Sequence, residues 1–372
     1  MQRSISFSMY YGRMCGHHPI TICPILIESL QDQAMRYLST FLSIYLLCIK
    51  VSAWSPFIVL RKSTPTMRSG SALHTVIKSD DTHVTTQDDV LIIGCGVLGT
   101  SLCRQLLLSS SPSRRSIVGV TRTNNNHAMI LASMPTSATS SFKVATYNDL
   151  LSEDRKYPNV VFCAPPSGSE DYPKSVQDAM NDFWSGPNVG RFVFTSSGGV
   201  YGSGTDGEIV TETTPVADPN LNPRVGRLIK AEQVCIENGG SVLRLAGLYT
   251  LERGAHNYWL ENGMKSIAGR EDGIINLLHY DDAAGACVAA LSQKLDVLQR
   301  KIFLISDGNP MTRRGICECA IKSNRYQGRI VPPFEPGPDT SKGKVYDGSW
   351  SNSQLNWRPQ YPSFDHFMSQ SI

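Results

Sequence analysis

Gly94, Gly96 and Gly99 lie within the run Gly94-Cys95-Gly96-Val97-Leu98-Gly99, a spacing suited to holding a pyrophosphate. Gly94 stands where an apolar run must turn sharply. Gly96 lets backbone approach phosphate oxygens, and Gly99 lets a following helix lie close to the preceding strand. The N-terminus of that helix supplies unpaired N–H groups and a partial positive charge. A turn that merely needs positive φ accounts for one glycine but not for three in this register.

The residues at the end of the next apolar run bear on which dinucleotide fits. Sites for an unphosphorylated ribose place Asp or Glu about 20 residues after the turn, where it accepts hydrogen bonds from the hydroxyls. This chain has Thr121-Arg122-Thr123 instead. A guanidinium suits a 2′-phosphate by charge and by fork geometry. The expected cofactor is NADP, with NAD as the second choice; an ordinary surface arginine is the competing reading of Arg122.

Alternating strands and helices must position these residues. Val90-Leu91-Ile92-Ile93 is a continuous apolar run of the kind a strand buried on both faces shows. The turn follows, then a helix over Thr100–Leu108 ended by Ser111-Pro112-Ser113, then a strand over Ile117–Val120. Further strands are expected from Val144, over Val160–Ala164 up to Pro165-Pro166, over Phe192–Thr195 and over Ser241–Leu245. This order predicts an α/β fold, a Rossmann-type doubly wound parallel sheet with a small C-terminal substrate lobe. Residues 88–249 read as the dinucleotide-binding domain. Residues 250–372 read as a mixed region that completes the sheet and supplies the lobe. In that region Asn257, Tyr258, Trp259 and Leu260 suit pocket lining and packing equally, and Pro332-Pro333, Pro336 and Pro338 mark an irregular connection.

Hydrophobic residues make up 41% of the chain and charged ones 18%, which fits a folded protein. The formal charge of +3 is set by the N-terminal region. Arg3, Arg13, Arg36, Lys50, Arg61, Lys62, Arg68 and Lys78 face only Glu28 and Asp32 there, so the remainder is slightly acidic. No nucleic-acid partner is expected. The cysteines lack metal-type spacing; Cys95, Cys103, Cys163, Cys235 and Cys287 lie in apolar runs and read as reduced core residues.

The first 80 residues read as a targeting leader outside the fold. Met35-Arg36 precedes an apolar run from Tyr37 to Ile49, and Val51-Ser52-Ala53 follows at signal-peptidase spacing. The run falls short of the roughly 20 apolar residues of a membrane-spanning helix, so no stable span is expected in the mature chain. Beyond Ala53-Trp54 comes a basic, Ser/Thr-rich stretch with no acid until Asp80, which is transit-peptide composition. On this reading Met35 fits the start better than Met1. The arrangement resembles the bipartite plastid-targeting leaders of diatoms and related algae and implies a plastid location, with the secretory pathway as the alternative.

Thr195-Ser196-Ser197-Gly198-Gly199-Val200-Tyr201-Gly202 resembles the TSSxxVYG signature of extended short-chain dehydrogenases/reductases, the nucleotide-sugar epimerases and dehydratases. Leu243–Tyr249, Leu278–Ala284 and Asn356-Trp357-Arg358-Pro359 continue the similarity, which covers residues 88–365. Cys163–Gly168 and Arg253-Gly254-Ala255-His256 are most similar to a plant and algal group of NAD(P)-binding Rossmann proteins.

The resemblance implies that Ala164, Pro165, Thr195, Ser196 and Leu248 line the dinucleotide beside the glycine turn. It also implies that Ser197 hydrogen-bonds the substrate oxygen. The family's acid/base couple is a tyrosine with a lysine four residues later. Aligned on Gly226-Arg227, those positions hold Val225 and Ile229; aligned on Ala231-Glu232, they hold Arg224 and Leu228. Neither register supplies the pair. Tyr201 is the first candidate to replace it, with Tyr249, His256 and His279 behind it. Arg224, Arg227 and Lys230 suit an anionic substrate or a solvated helix face. Two functions follow: an NADP-dependent oxidoreductase or epimerase-like enzyme on a small metabolite, or a non-catalytic redox sensor or scaffold. The resemblance also allows a homodimer.

Overall fold

Strand β1 (Val90–Ile93) is buried at every position, which is why its sequence is unbroken Val, Leu and Ile rather than alternating. The computed structural model describes residues 87–109, 115–136, 141–204, 206–261, 264–337 and 341–371. These fall in one compact unit, Asp80–Ile372, and the leader expected over residues 1–80 lies outside them.

Helix α1 (Val97–Leu108) follows β1, and β2 (Ile117–Thr121) and β3 (Phe142–Thr146) extend the sheet on one side. The chain then returns past β1. Strands β4 (Asn159–Phe162), β5 (Arg191–Ser197), β7 (Ser241–Leu245) and β10 (Ile302–Ile305) add on the other side. The sheet order is β10-β7-β5-β4-β1-β2-β3, and every pairing is parallel. Strand order reverses between β1 and β4, whose ends Ile93 and Phe162 are direct partners. A crevice opens beyond the strand ends at such a switch point.

Helices cover both faces, as right-handed crossovers in opposite directions require. On one face α1 packs against α5 (Tyr280–Ser292). On the other, α2 (Tyr172–Phe183) packs against α3 (Pro223–Glu237). Asp171 caps α2 by accepting from Lys174 N at 3.0 Å. Asn222 caps α3 by accepting from Arg224 N and Val225 N. Each cap satisfies N–H groups that the helix itself leaves open.

A second apolar cluster forms the small lobe. It joins Tyr249, at the end of β8 (Gly247–Tyr249), to α4 (Ala255–Glu261), α6 (Arg313–Ala320) and α7 (Phe364–Ser369). Strand β8 pairs in parallel with β9 (Leu277–His279), and β6 (Asp206–Val210) with β11 (Gly343–Tyr346).

Several expected boundaries shift. Helix α1 starts at Val97 rather than Thr100, because the first turn forms inside the glycine run. Strand β3 starts at Phe142, not Val144, and β4 stops at Phe162, where Pro165 and Pro166 draw near. Strand β5 runs through Ser197, and β10 is a seventh strand that sequence reading passed over despite its apolar run. Among the described residues no helix is long and apolar enough to cross a membrane.

Candidate functional site

The three glycines of the turn stand in three different settings. A Cβ on Gly94 would lie 2.3 Å from Ala164 N, and its φ of +99° is left-handed. A Cβ on Gly99 would lie 2.5 Å from Gly94 O. A Cβ on Gly96 would meet nothing within 4 Å, so this glycine faces open space. Gly96 is also the N-cap of α1, with no side-chain cap and no acid in the first turn. The first N–H groups of α1 therefore have no side-chain acceptor. This cradle fits a pyrophosphate, whose oxygens need backbone donors and close approach.

Cys95 and Leu98 take no outward part in it. Cys95 is 4% exposed; its Sγ lies 3.8 Å from Cys103 Sγ and packs where a Cβ on Gly119 would stand 2.8 Å away. Leu98 is buried in the core, so these two residues offer only backbone, while Val97 is exposed.

At the end of β2, Thr121 Oγ1 bonds His127 Nε2 at 2.6 Å and donates to Thr123 O at 2.9 Å. Arg122 and Thr123 are exposed. Arg122 Nη1 donates to Gly168 O at 3.2 Å, so its side chain bridges from β2 to the loop after β4. On that loop Ala164 is half-buried and Pro165 exposed, and Tyr172 OH donates to Ala164 O at 2.8 Å.

The end of β5 divides its hydroxyls between two sides. Thr195 Oγ1 donates to Phe162 O at 3.3 Å. Ser196 is buried and donates to Glu232 Oε1 at 2.6 Å, so its side chain is directed into the core. Ser197 is half-buried, and its Oγ accepts from Gly199 N at 3.1 Å. Glu232 is held by Arg244 through Nη2 at 2.7 Å and Nε at 3.1 Å, and Arg244 Nη1 donates to Tyr201 OH at 3.0 Å. The Tyr201 hydroxyl is thus committed to a buried network. Burial pushes its pKa up, and Arg244 opposes that only in part.

Sequence reading missed Glu232, Arg244 and Lys344. An Arg inside the buried strand Ser241-Val242-Leu243-Arg244-Leu245 is itself a signal, because it demands a buried acid. Lys344 is 7% exposed, donates to Gly202 O, and lies 5.8 Å from the Tyr201 ring centroid. Burial lowers its pKa to about 8. Asn276 seats the strand that carries it, donating to Lys344 O and accepting from Tyr346 N, both at 2.8 Å.

Helix α3 holds no Tyr/Lys couple in either register. Leu228 is buried, Val225 and Ile229 are half-buried, and Arg224 and Lys230 are exposed. Arg227 reaches across to Pro166 O at 3.2 Å and to Ser169 O. His256 is buried; its Nε2 lies 3.1 Å from Leu251 O, and burial lowers its pKa to about 4. His279 caps α5, with Nδ1 accepting from Asp281 N at 3.1 Å. Leu248 is half-buried, and Tyr249 is buried with its hydroxyl unpartnered among the described residues. In the lobe Trp259 and Leu260 pack inward, while Tyr258 is 58% exposed. A separate open cleft of about 450 Å³, lined by Arg104, Asp281 and Tyr361 among others, shares no residue with the crevice. Among the described residues no His/Cys/Asp/Glu group is placed to hold a metal.

No family model matches the chain. It is 31% identical over 200 residues to Protein YeeZ of Escherichia coli, in strains K12 and O157:H7, spanning 52% of this chain and 67% of that protein. Among solved structures, UDP-glucuronic acid 4-epimerase of Bacillus cereus, in complex with UDP-glucuronic acid and NAD, superposes with a TM-score of 0.57 at 17% identity. That match covers 76% of this chain and 97% of that one. The dTDP-glucose 4,6-dehydratase of Bacillus anthracis in complex with NAD gives a TM-score of 0.58 at 16% identity, covering 76% and 94%. A conserved protein of Silicibacter pomeroyi gives 0.57 at 20% identity, covering 76% and 97%. The chain belongs to the family of Protein YeeZ, and it shares the Rossmann-type fold of NAD-dependent epimerases and dehydratases.

Proposed function

We propose that this chain binds NADP in the crevice between β1 and β4 and acts as an oxidoreductase or epimerase-like enzyme on a small metabolite. The observation that carries the cofactor choice is Arg122, exposed at the end of β2 and bonded through one nitrogen to Gly168 O. Among the described residues the rest of its fork has no protein partner. A charge-assisted hydrogen bond contributes about 1.5–3 kcal/mol, which corresponds to roughly ten- to hundred-fold preference for a phosphorylated ribose.

The uncapped N-terminus of α1 and the open face at Gly96 would hold the pyrophosphate, and Ala164, Pro165 and Leu248 would flank the rings. When bound, a nicotinamide cofactor supplies hydride transfer. Ser197 would hydrogen-bond the substrate oxygen, its hydroxyl oriented by Gly199 N. The relatives in complex with NAD support a dinucleotide in this crevice. The basic leader supports a plastid location for the mature chain.

A second reading, a non-catalytic redox sensor, is favoured by one observation. Helix α3 carries no Tyr/Lys couple, and Tyr201, the nearest phenol by motif, is tied to Arg244. Fluorescence titration of the full chain with NADPH and NADH tests the cofactor. Tighter NADPH binding is expected, with the preference lost in Arg122→Ala. Equal affinity in the parent overturns the NADP assignment. A screen for NADPH oxidation with carbonyl metabolites, controlled by Ser197→Ala, separates enzyme from sensor. Tight cofactor binding without turnover across the panel favours the sensor.

A further inference from the structure

Two thiols that the proposed cofactor site does not use stand beneath the glycine turn. Cys95 lies between Gly94 and Gly96, and Cys103 lies on α1, the helix that follows. The turn folds Cys95 back along that helix, so its Sγ is 3.8 Å from Thr100 Oγ1 and 3.8 Å from Cys103 Sγ. Among the described residues no other two thiols are joined by a hydrogen bond.

The two sulfurs are chemically unequal. With Cys103 as donor, their hydrogen bond favours the thiolate of Cys95 and the thiol of Cys103. That bond lowers the Cys95 pKa against the burial that raises it, while bond and burial together push Cys103 up. The thiolate is the form that attacks an oxidant. Cys95 is also the sulfur nearer to solvent. It is 4% exposed and sits between half-buried Gly94 and exposed Gly96, whereas Cys103 is fully buried. Only a small, neutral oxidant suits such access.

We infer that Cys95 and Cys103 form a peroxide-sensitive dithiol that closes to a disulfide and distorts the glycine turn. The Cys95 sulfur attacks one peroxide oxygen, the O–O bond breaks, and a sulfenic acid forms as hydroxide leaves and takes up the Cys95 proton. The Cys103 sulfur then attacks the Cys95 sulfur. The S–O bond breaks, and the hydroxyl leaves as water with the Cys103 proton. Two thiols and one peroxide thus become one disulfide and two waters, two electrons passing from sulfur to oxygen. A dithiol reductant restores the pair by exchange.

The turn is the part that must give. A disulfide holds its sulfurs at about 2.05 Å, so the pair has to close from 3.8 Å. Cys103 is fixed within α1, which packs against α5. Cys95 is anchored by its N donating to Val120 O at 2.8 Å and has a glycine on either side. The disulfide is independent of any ligand; the loss of dinucleotide affinity expected from it rests on the proposed cofactor reading.

The test is treatment of the full chain with hydrogen peroxide, followed by alkylation and tryptic digestion. Lys78 and Arg104 bound one tryptic peptide, in which Cys95 and Cys103 are the only cysteines. That peptide should emerge lighter by two hydrogens and closed to alkylation, and dithiothreitol should reopen it. Amide exchange over residues 94–99 should rise on oxidation and return on reduction. Cys103→Ser should instead leave Cys95 as a sulfenic acid that dimedone labels, and Cys95→Ser should leave Cys103 unlabelled. NADPH affinity of the parent should fall at least ten-fold on oxidation. No disulfide in that peptide, or a disulfide with unchanged exchange, overturns the inference. Failure of the reduced chain to bind NADPH overturns the cofactor reading instead, and the peptide mass and exchange still decide on the pair.

Discussion

Ser196 Oγ lies 2.6 Å from Glu232 Oε1, and this bond ties the strand that presents Ser197 to the helix that walls the crevice. Arg244 completes the tie from β7, with Arg244 and Glu232 side chains each 5% exposed. Removing one member of a buried pair leaves an uncompensated charge, typically at a cost of about 3–5 kcal/mol. Arg244→Met should destabilise the chain by that amount in urea unfolding, and Arg244→Met with Glu232→Leu should recover much of it. A single-variant loss below about 1 kcal/mol would show that the network contributes little.

The glycine turn makes a sharper separation between folding and binding. Gly96→Val should keep its melting temperature within a few degrees yet lose dinucleotide affinity, since its side chain would enter only the open space in which the proposed phosphate would sit. Gly94→Ala and Gly99→Ala should lower the melting temperature instead, because each new Cβ would press on main chain at 2.3 and 2.5 Å. If Gly96→Val bound NADPH as the parent does, the cradle would not be the phosphate site.

The sheet was legible because buried parallel strands leave unbroken apolar runs, and the tight turn after β1 because glycine spacing encodes close approach at Ala164 and Gly94 O. The helix start was misread at Thr100 because Val97 and Leu98 look like loop until the uncapped first turn is seen. Side-chain partners were not legible. Nothing local announces that Ser196 and Ser197 face opposite ways, or that Arg227 spans 61 residues to Pro166 O while Arg224 pairs with nothing described. His256, one of the candidates to replace the missing couple, is 1% exposed, because Tyr326 and Phe364 pack over it. Such facts depend on tertiary contacts that no local spacing carries.

Lys344 gives a prediction on the alkaline side. Its pKa is lowered from 10.5 to about 8 by burial, so between those values the unfolded chain binds more protons than the folded one. Stability contributed by this group therefore rises with pH across that window. Lys344→Met should flatten the rise and stabilise the chain at pH 7 by about 1–3 kcal/mol, since each tenfold loss of proton affinity on folding costs about 1.4 kcal/mol. Unfolding curves at pH 7 and pH 9 check this. An unchanged slope in the variant would mean that water reaches the ammonium and no penalty exists.

Asp307 makes the opposite prediction on the acid side. It is 6% exposed, its Oδ1 accepts from Asn309 N at 2.9 Å, and its Oδ2 is buried without a partner among the described residues. Burial raises its pKa from 3.8 to about 7. Between those values the folded chain holds the extra proton, so the stability this group contributes is complete below about pH 4 and is lost as pH rises through 7. Asp307→Asn keeps the acceptor for Asn309 and cannot ionise. Relative to the parent it should lose the fall in stability between pH 5 and pH 8. At pH 8 it should be more stable by at least about 1.4 kcal/mol, the free energy of a tenfold difference in proton affinity. Urea unfolding of both proteins at pH 5 and pH 8 measures the difference. A parent whose stability does not fall over that range, or a variant that falls in parallel with it, would show that Asp307 ionises without cost and that its buried oxygen has found a partner in solution.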